Sequence, residues 1–278
     1  MREGVTTGNR ENKNESGCKR NRSKEFIKNC ASEHEDRVQE SDEIAKNWVI
    51  DGLLILKDKE RLVEKYYGHI TENKPHLMNS ISKSVVGLLA GKLEHEGVID
   101  FSKTISHYVP ELSNSGWGPG SLRLGLDMQD GPDYPEDSPG FSKTVRIHDC
   151  VIGWTDAKYC PEHVPSGGYQ YFPTIDRDES NLGKFKYRSA STDVIGWVLE
   201  EATSKPLAEL ISEYIWKPMG AEHDAYITVD KTGFVLADHG MNSTLRDLGR
   251  LGLLVMNEGV VNNKQIIPED FIDDLHQQ

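Results

Sequence analysis

The 278-residue sequence has no apolar run approaching the roughly 18 residues that a membrane-spanning helix needs, and Met1 precedes a polar stretch, not the apolar core of a signal peptide. These absences point away from a membrane partner and make the cytosol the expected compartment. Cysteine is scarce. Cys18, Cys30, Cys150 and Cys160 form no C-x-x-C pair and are too few for a disulfide framework in a chain this long, so they read as free thiols. The ten histidines make no H-x-H or H-E-x-x-H pattern, so neither a metal nor another cofactor is expected. An excess of positive charge is also lacking. With 32 Lys and Arg against 45 Asp and Glu, the net charge of −13 repels phosphate backbones and argues against nucleic acid as a partner.

Residues 1–40 carry 9 basic and 8 acidic side chains among many Asn and Ser, with few apolar residues beyond Val5, Phe26, Ile27 and Val38. Such a segment cannot bury enough surface to offset its ordering entropy and reads as a disordered tail. The tail is nearly neutral, so the acidity belongs to residues 41–278, which read as one domain.

From Trp48 the pattern changes. Apolar residues run from Trp48 to Leu56, a polar Lys57-Asp58-Lys59-Glu60 follows, and Arg61-Leu62-Val63-Glu64-Lys65-Tyr66-Tyr67 completes a predicted β-hairpin. Residues 80–96 place Val85, Leu88, Leu89 and Leu93 at helical spacing among Gly87, Ala90 and Gly91, which predicts a helix close-packed on both sides. Residues 113–183 are rich in Gly, Pro, Asp, Ser and aromatics, a composition that suits a site wall or second lobe. Helical periodicity returns at residues 192–202, 207–215 and 243–256. A last helix is signalled at residues 267–276 by Pro268 and first-turn acids, and no C-cap glycine or strand follows it.

Ser80-Ile81-Ser82-Lys83 opens the buried helix with an S-x-x-K spacing. A serine hydroxyl is inert at its own pKa and needs a base within hydrogen-bond reach, and i, i+3 spacing sets Lys83 on the same helix face. The helix N-terminus adds positive potential where an oxyanion would form. The spacing alone is weak evidence: Ser16-Gly17-Cys18-Lys19 repeats it in the charged tail, and the bland reading of Ser80 is an N-cap beside a surface lysine. Tyr187-Arg188-Ser189 supplies a phenol that can shuttle a proton, or simply a half-buried tyrosine before a capped helix. Lys231-Thr232-Gly233 lies in a short segment with ordinary turn chemistry and reads as a decoy. There is no G-x-S-x-G elbow.

These residues together resemble the serine β-lactamase and penicillin-binding superfamily, and within it the 6-aminohexanoate-dimer hydrolase (nylon-oligomer hydrolase) group. The likeness runs from Trp48 to the end of the chain through Ser80-Ile81-Ser82-Lys83-Ser84, Tyr108-Val109-Pro110-Glu111-Leu112, Leu126-Asp127-Met128, Gly153-Trp154, Tyr187-Arg188-Ser189-Ala190-Ser191-Thr192-Asp193-Val194, Asp224-Ala225-Tyr226-Ile227-Thr228-Val229-Asp230 and Thr244-Leu245-Arg246-Asp247-Leu248. It implies a two-lobed α/β (α+β) transpeptidase-like fold, with an antiparallel sheet flanked by helices and a mostly helical lobe carrying Tyr187.

It also implies an acyl-enzyme on Ser80, with Lys83 as general base and Tyr187 as proton relay, acting on a small ester or amide without a cofactor. Asp149, Trp154 and Ser189 become expected substrate contacts, the first two at the substrate's amine end. Two departures stand out. Glu136-Asp137-Ser138 replaces the group's Glu-Asp-Tyr, removing the tyrosine that would touch an amide leaving group and pointing away from the nylon dimer. The family's third motif, on a late sheet strand, falls beyond residue 278, so the chain reads as C-terminally truncated. The alternatives are a β-lactamase or DD-peptidase type of enzyme and a non-catalytic remnant, and a homodimer is left open.

Overall fold

The structure is a computed structural model that describes residues 50–57, 59–136 and 142–277, together with Asn47. The expected disordered tail, Cys18, Cys30, Trp48 and the Asp137-Ser138 departure lie outside the described residues.

The expected hairpin forms from β1 (Gly52–Lys57) and β2 (Glu60–Tyr66), turning through Lys59 in the left-handed region at φ 71°. After β3 (His76–Leu77), helix α1 (Ile81–His95) buries Val85, Val86, Leu88, Leu89, Ala90, Gly91 and Leu93. Burial on this many sides explains why small residues punctuate it. The glycine- and proline-rich stretch is a lobe of short helices: α2 (Ile105–Tyr108), α3 (Leu122–Leu126), α4 (Lys143–Val151) and α5 (Gly168–Tyr171), linked by 3₁₀ turns. Ser121 and Ser142 cap α3 and α4 by accepting the backbone N–H of Leu124 and Val145.

Helix α6 (Ser189–Thr203) is buried continuously from Ala190 to Leu199 and forms the second inner helix. It leads into α7 (Leu207–Ile211), which continues as a π-helical turn, Ser212–Trp216. β4 (Tyr226–Ile227) and β5 (Met241–Ser243) follow, and β5 pairs with both β3 and β4. Helix α8 (Leu245–Met256), capped by Thr244, packs against β1, where a Cβ built on Gly249 would stand 2.4 Å from Leu54 Cδ2. A small hairpin of β6 (Val260–Val261) and β7 (Lys264–Gln265) precedes α9 (Glu269–His276), whose Phe271 lies on Gly91 of α1. Every named pair is antiparallel, as expected, but among the described residues the strands divide into three small sheets.

One expectation is overturned. Cys150 and Cys160 are not free thiols but a disulfide, with Cα atoms 5.6 Å apart. The chain leaves α4 at Gly153 (φ 79°) and returns through the 3₁₀ turn Ala157–Tyr159, which closes a separation of ten residues that spacing rules do not flag. No helix among the described residues is long and apolar enough to cross a membrane.

Candidate active site

Ser80 is the residue before α1, and Asn79 ahead of it adopts φ 48°, a left-handed conformation that asparagine tolerates better than most residues. Lys83, one turn on, donates from Nζ to Ser80 Oγ at 2.9 Å and to the carbonyl of Asp238 at 2.9 Å. The Tyr187 hydroxyl donates to the same Oγ at 2.7 Å, and the tyrosine ring lies 5.2 Å from Lys83 Nζ. Of the expected residues, the structure thus brings Ser80, Lys83 and Tyr187 onto one oxygen.

Tyr187 is 46% exposed and has little packing of its own. Its neighbour Arg188 is buried and anchors the segment, with Nη1 3.2 Å from Asp130 Oδ1 and 3.3 Å from the Asp130 carbonyl. Ser191 donates to the other Asp130 oxygen at 2.7 Å and accepts from Trp117 Nε1 at 3.1 Å. Burial pushes the Asp130 carboxyl up to about 6, with Ser191 and Arg188 acting against it.

A cleft of about 520 Å³ opens on the serine, and Asp149, Trp154 and Ser189 all line it together with Tyr187. The Ser189 backbone N–H lies 3.0 Å from both oxygens of Glu136, whose carboxyl is raised by burial and partly restored by that bond. Asp149, at the end of α4, is likewise raised by burial, with His239 drawing it back. Trp154 is 57% exposed and meets the His239 ring edge-on at 4.8 Å between centroids.

The cleft also holds residues that sequence reasoning did not single out: Tyr134, His148, Asp238 and His239. Burial pushes Asp238 up, but the His239 imidazole bonded to it and the nearby Lys83 ammonium hold it below the usual carboxylate range. Behind it Asp193 accepts the Asp238 backbone N–H at 3.0 Å and is raised well above its ordinary value by burial and the Asp238 charge. His148 is paired with the Tyr134 hydroxyl at 2.7 Å and pushed down to about 4 by burial. An Asp-His dipeptide has no diagnostic spacing, and only tertiary contact reveals its place beside Lys83.

Lys231-Thr232-Gly233 is a turn, as expected. Asp230 Oδ1 accepts from Thr232 N at 2.7 Å and Phe234 N at 3.1 Å, Gly233 has φ 88°, and none of the three residues lines the cleft. A larger groove of about 670 Å³ between α7 and β4 shares no lining residue with the cleft. No group of three or more potential metal ligands occurs among the described residues.

Residues 49–145 match the Beta-lactamase family. Over that stretch the chain is similar to Beta-lactamase family domains. The chain is 36% identical over 226 residues to the 6-aminohexanoate-dimer hydrolase of Paenarthrobacter ureafaciens, a match covering 81% of this chain and 56% of that relative. A Bacillus anthracis structure assigned as a 6-aminohexanoate-dimer hydrolase superposes with a TM-score of 0.74 at 29% identity, covering 82% of this chain and 59% of that one. A β-lactamase/D-alanine carboxypeptidase from Pseudomonas syringae shares the fold, with a TM-score of 0.59 at 16% identity over 85% of this chain and 68% of its own. The chain thus spans little more than half the length of these 6-aminohexanoate-dimer hydrolase relatives.

Proposed function

We propose that the protein is a serine hydrolase that cleaves small esters or amides through an acyl-enzyme on Ser80. The observation that carries this reading is the convergence of Lys83 Nζ and the Tyr187 hydroxyl on Ser80 Oγ, at 2.9 and 2.7 Å.

In this reading Lys83 first yields one ammonium proton to solvent and then, as the amine, takes the Ser80 proton as Oγ bonds to the substrate carbonyl carbon. The Asp238 carbonyl, accepting from the same amine, turns its lone pair toward the serine. The tetrahedral intermediate collapses, the C–O or C–N bond breaks, and the leaving alkoxide or amine takes its proton through Tyr187. Water then attacks the acyl carbon, gives a proton back through the same pair and restores Ser80. Asp149, Trp154 and Ser189 form the substrate wall, Ser189 by holding the Glu136 carboxylate against the cleft. With serine in place of the leaving-group tyrosine at position 138, esters are the expected better substrates.

Incubation with a fluorophosphonate, followed by peptide mass spectrometry, tests the assignment. The adduct is expected on the peptide containing Ser80 and on no other serine, and it disappears in Ser80→Ala. Labelling elsewhere, or none, removes Ser80 as the nucleophile.

A further inference from the structure

The Cys150–Cys160 disulfide closes a loop that carries Trp154, the aromatic wall of the cleft. Cys150 lies in the last turn of α4, one residue after Asp149, and Cys160 follows the 3₁₀ turn Ala157–Tyr159 on the far side of the loop. Within it, the backbone N–H groups of Trp154 and Thr155 both donate to the Asp149 carbonyl, at 2.8 and 3.0 Å. Other loop bonds are local too, among them Gly153 N to the Cys150 carbonyl at 3.3 Å, Tyr159 N to the Asp156 carbonyl at 2.9 Å, Cys160 N to the Ala157 carbonyl at 3.1 Å and Lys158 N to Asp156 Oδ1 at 3.1 Å. The Trp154 side chain is more exposed than buried, and its recorded ring contact is with His239, whose partner Asp238 offers its carbonyl to Lys83. Val151 and Ile152 belong to the main core, but no residue from Gly153 to Cys160 is buried, and the covalent bond is what ties the far end of the loop to α4.

We propose that Cys150 and Cys160 are positioning residues for Trp154, so that the thiol–disulfide state of this pair sets how well the cleft binds its substrate. The inference rests on the hydrolase reading for its effect on turnover, though not for its effect on the loop. A dithiol is the reductant: one thiolate attacks a disulfide sulfur to form a mixed disulfide, and the second displaces it. The two electrons lost by the dithiol, with two protons, leave Cys150 and Cys160 as thiols and the reagent as its own disulfide. The 11 residues from Cys150 to Cys160 then regain the freedom that ring closure removed, and Trp154 leaves the wall for part of the time. Ser80 and Lys83, at the start of α1, and Tyr187, before α6, lie outside the loop, so the chemical step is spared.

The test uses the full chain in a Cys18→Ser/Cys30→Ser background, oxidised or reduced with dithiothreitol and desalted under nitrogen, beside a Cys150→Ser/Cys160→Ser variant. Amide exchange in residues 150–160 is expected to quicken by about tenfold or more on reduction, with α1 and α6 unchanged. For p-nitrophenyl butyrate, KM is expected to rise about threefold or more while kcat stays within about twofold, which separates lost binding from lost chemistry. The serine variant should match the reduced protein and ignore dithiothreitol. Exchange that stays slow in the loop, or that quickens through α1 and α6 as well, overturns the proposal, as does an unchanged KM with Ser80-dependent turnover. If the oxidised protein shows no Ser80-dependent turnover, the hydrolase reading fails, and the exchange result still decides whether the bond holds the loop.

Discussion

The Tyr187 hydroxyl meets Ser80 Oγ at 2.7 Å across 107 residues of sequence, and the exposed tyrosine is held there by its buried neighbour. Arg188 has no exposed function; its ion pair with Asp130 pins the backbone from which Tyr187 projects. A buried pair of this kind contributes little net stability over an apolar replacement but strongly fixes where the chain can run.

Tyr187→Phe keeps the ring beside Lys83 and removes only the hydroxyl. It is expected to lower kcat by about 10²-fold with KM within about twofold, because the relay acts on the leaving group and not on binding. Steady-state kinetics on a p-nitrophenyl ester measure both, and an unchanged kcat removes the relay role.

His148 gives the fold an acid-sensitive point. The unfolded chain takes up its proton near pH 6.5, whereas burial delays uptake in the folded chain to about 4. The folded state thus loses stability as pH falls through that window. Asp130 acts oppositely. Burial raises it from 3.8 to about 6, so its contribution is full at low pH and fades as pH rises through that range. The two partly cancel in the native protein. His148→Gln, which can still accept from Tyr134, should remove one side: the stability advantage of the native protein over the variant is expected to shrink by up to about 3 kcal/mol between pH 7 and 4. Urea unfolding at several pH values reads this directly, and a constant difference contradicts it.

Gly91 has no room for a side chain. A Cβ there would stand 2.4 Å from Phe271 Cγ and Cδ1, where α9 packs on α1. Gly91→Ala is expected to destabilise by about 1–3 kcal/mol, although alanine is the better helix former. In a Phe271→Ala background the same change should become neutral or stabilising. A double-mutant cycle by thermal unfolding decides it, and equal costs in both backgrounds would show that Phe271 is not the obstacle.

The legible parts of the molecule were those governed by local rules. The period of α1, its run of small residues and the hairpin at β1 and β2 all follow from hydrophobic spacing that tertiary structure only had to satisfy. One helical turn joins Ser80 to Lys83, but the same spacing recurs in the charged tail, so it is the family resemblance that sets Ser80, Lys83 and Tyr187 apart. Asp238 and His239 were not, since a carbonyl reaching Lys83 across 155 residues leaves no trace in spacing. The Cys150–Cys160 bond escaped for the same reason: ten residues fit no motif, and a turn at Gly153 brings them together. The division of the strands into three small sheets is likewise a matter of which edges meet, not of which residues favour strands.

The central claim is that one serine, activated by one lysine, does the chemistry. Hydrolysis of p-nitrophenyl acetate by the protein, by Ser80→Ala and by Lys83→Ala tests it most directly. The account predicts turnover that falls to the uncatalysed background in Ser80→Ala and by about 10³-fold or more in Lys83→Ala. Equal rates for the native protein and Ser80→Ala would contradict it.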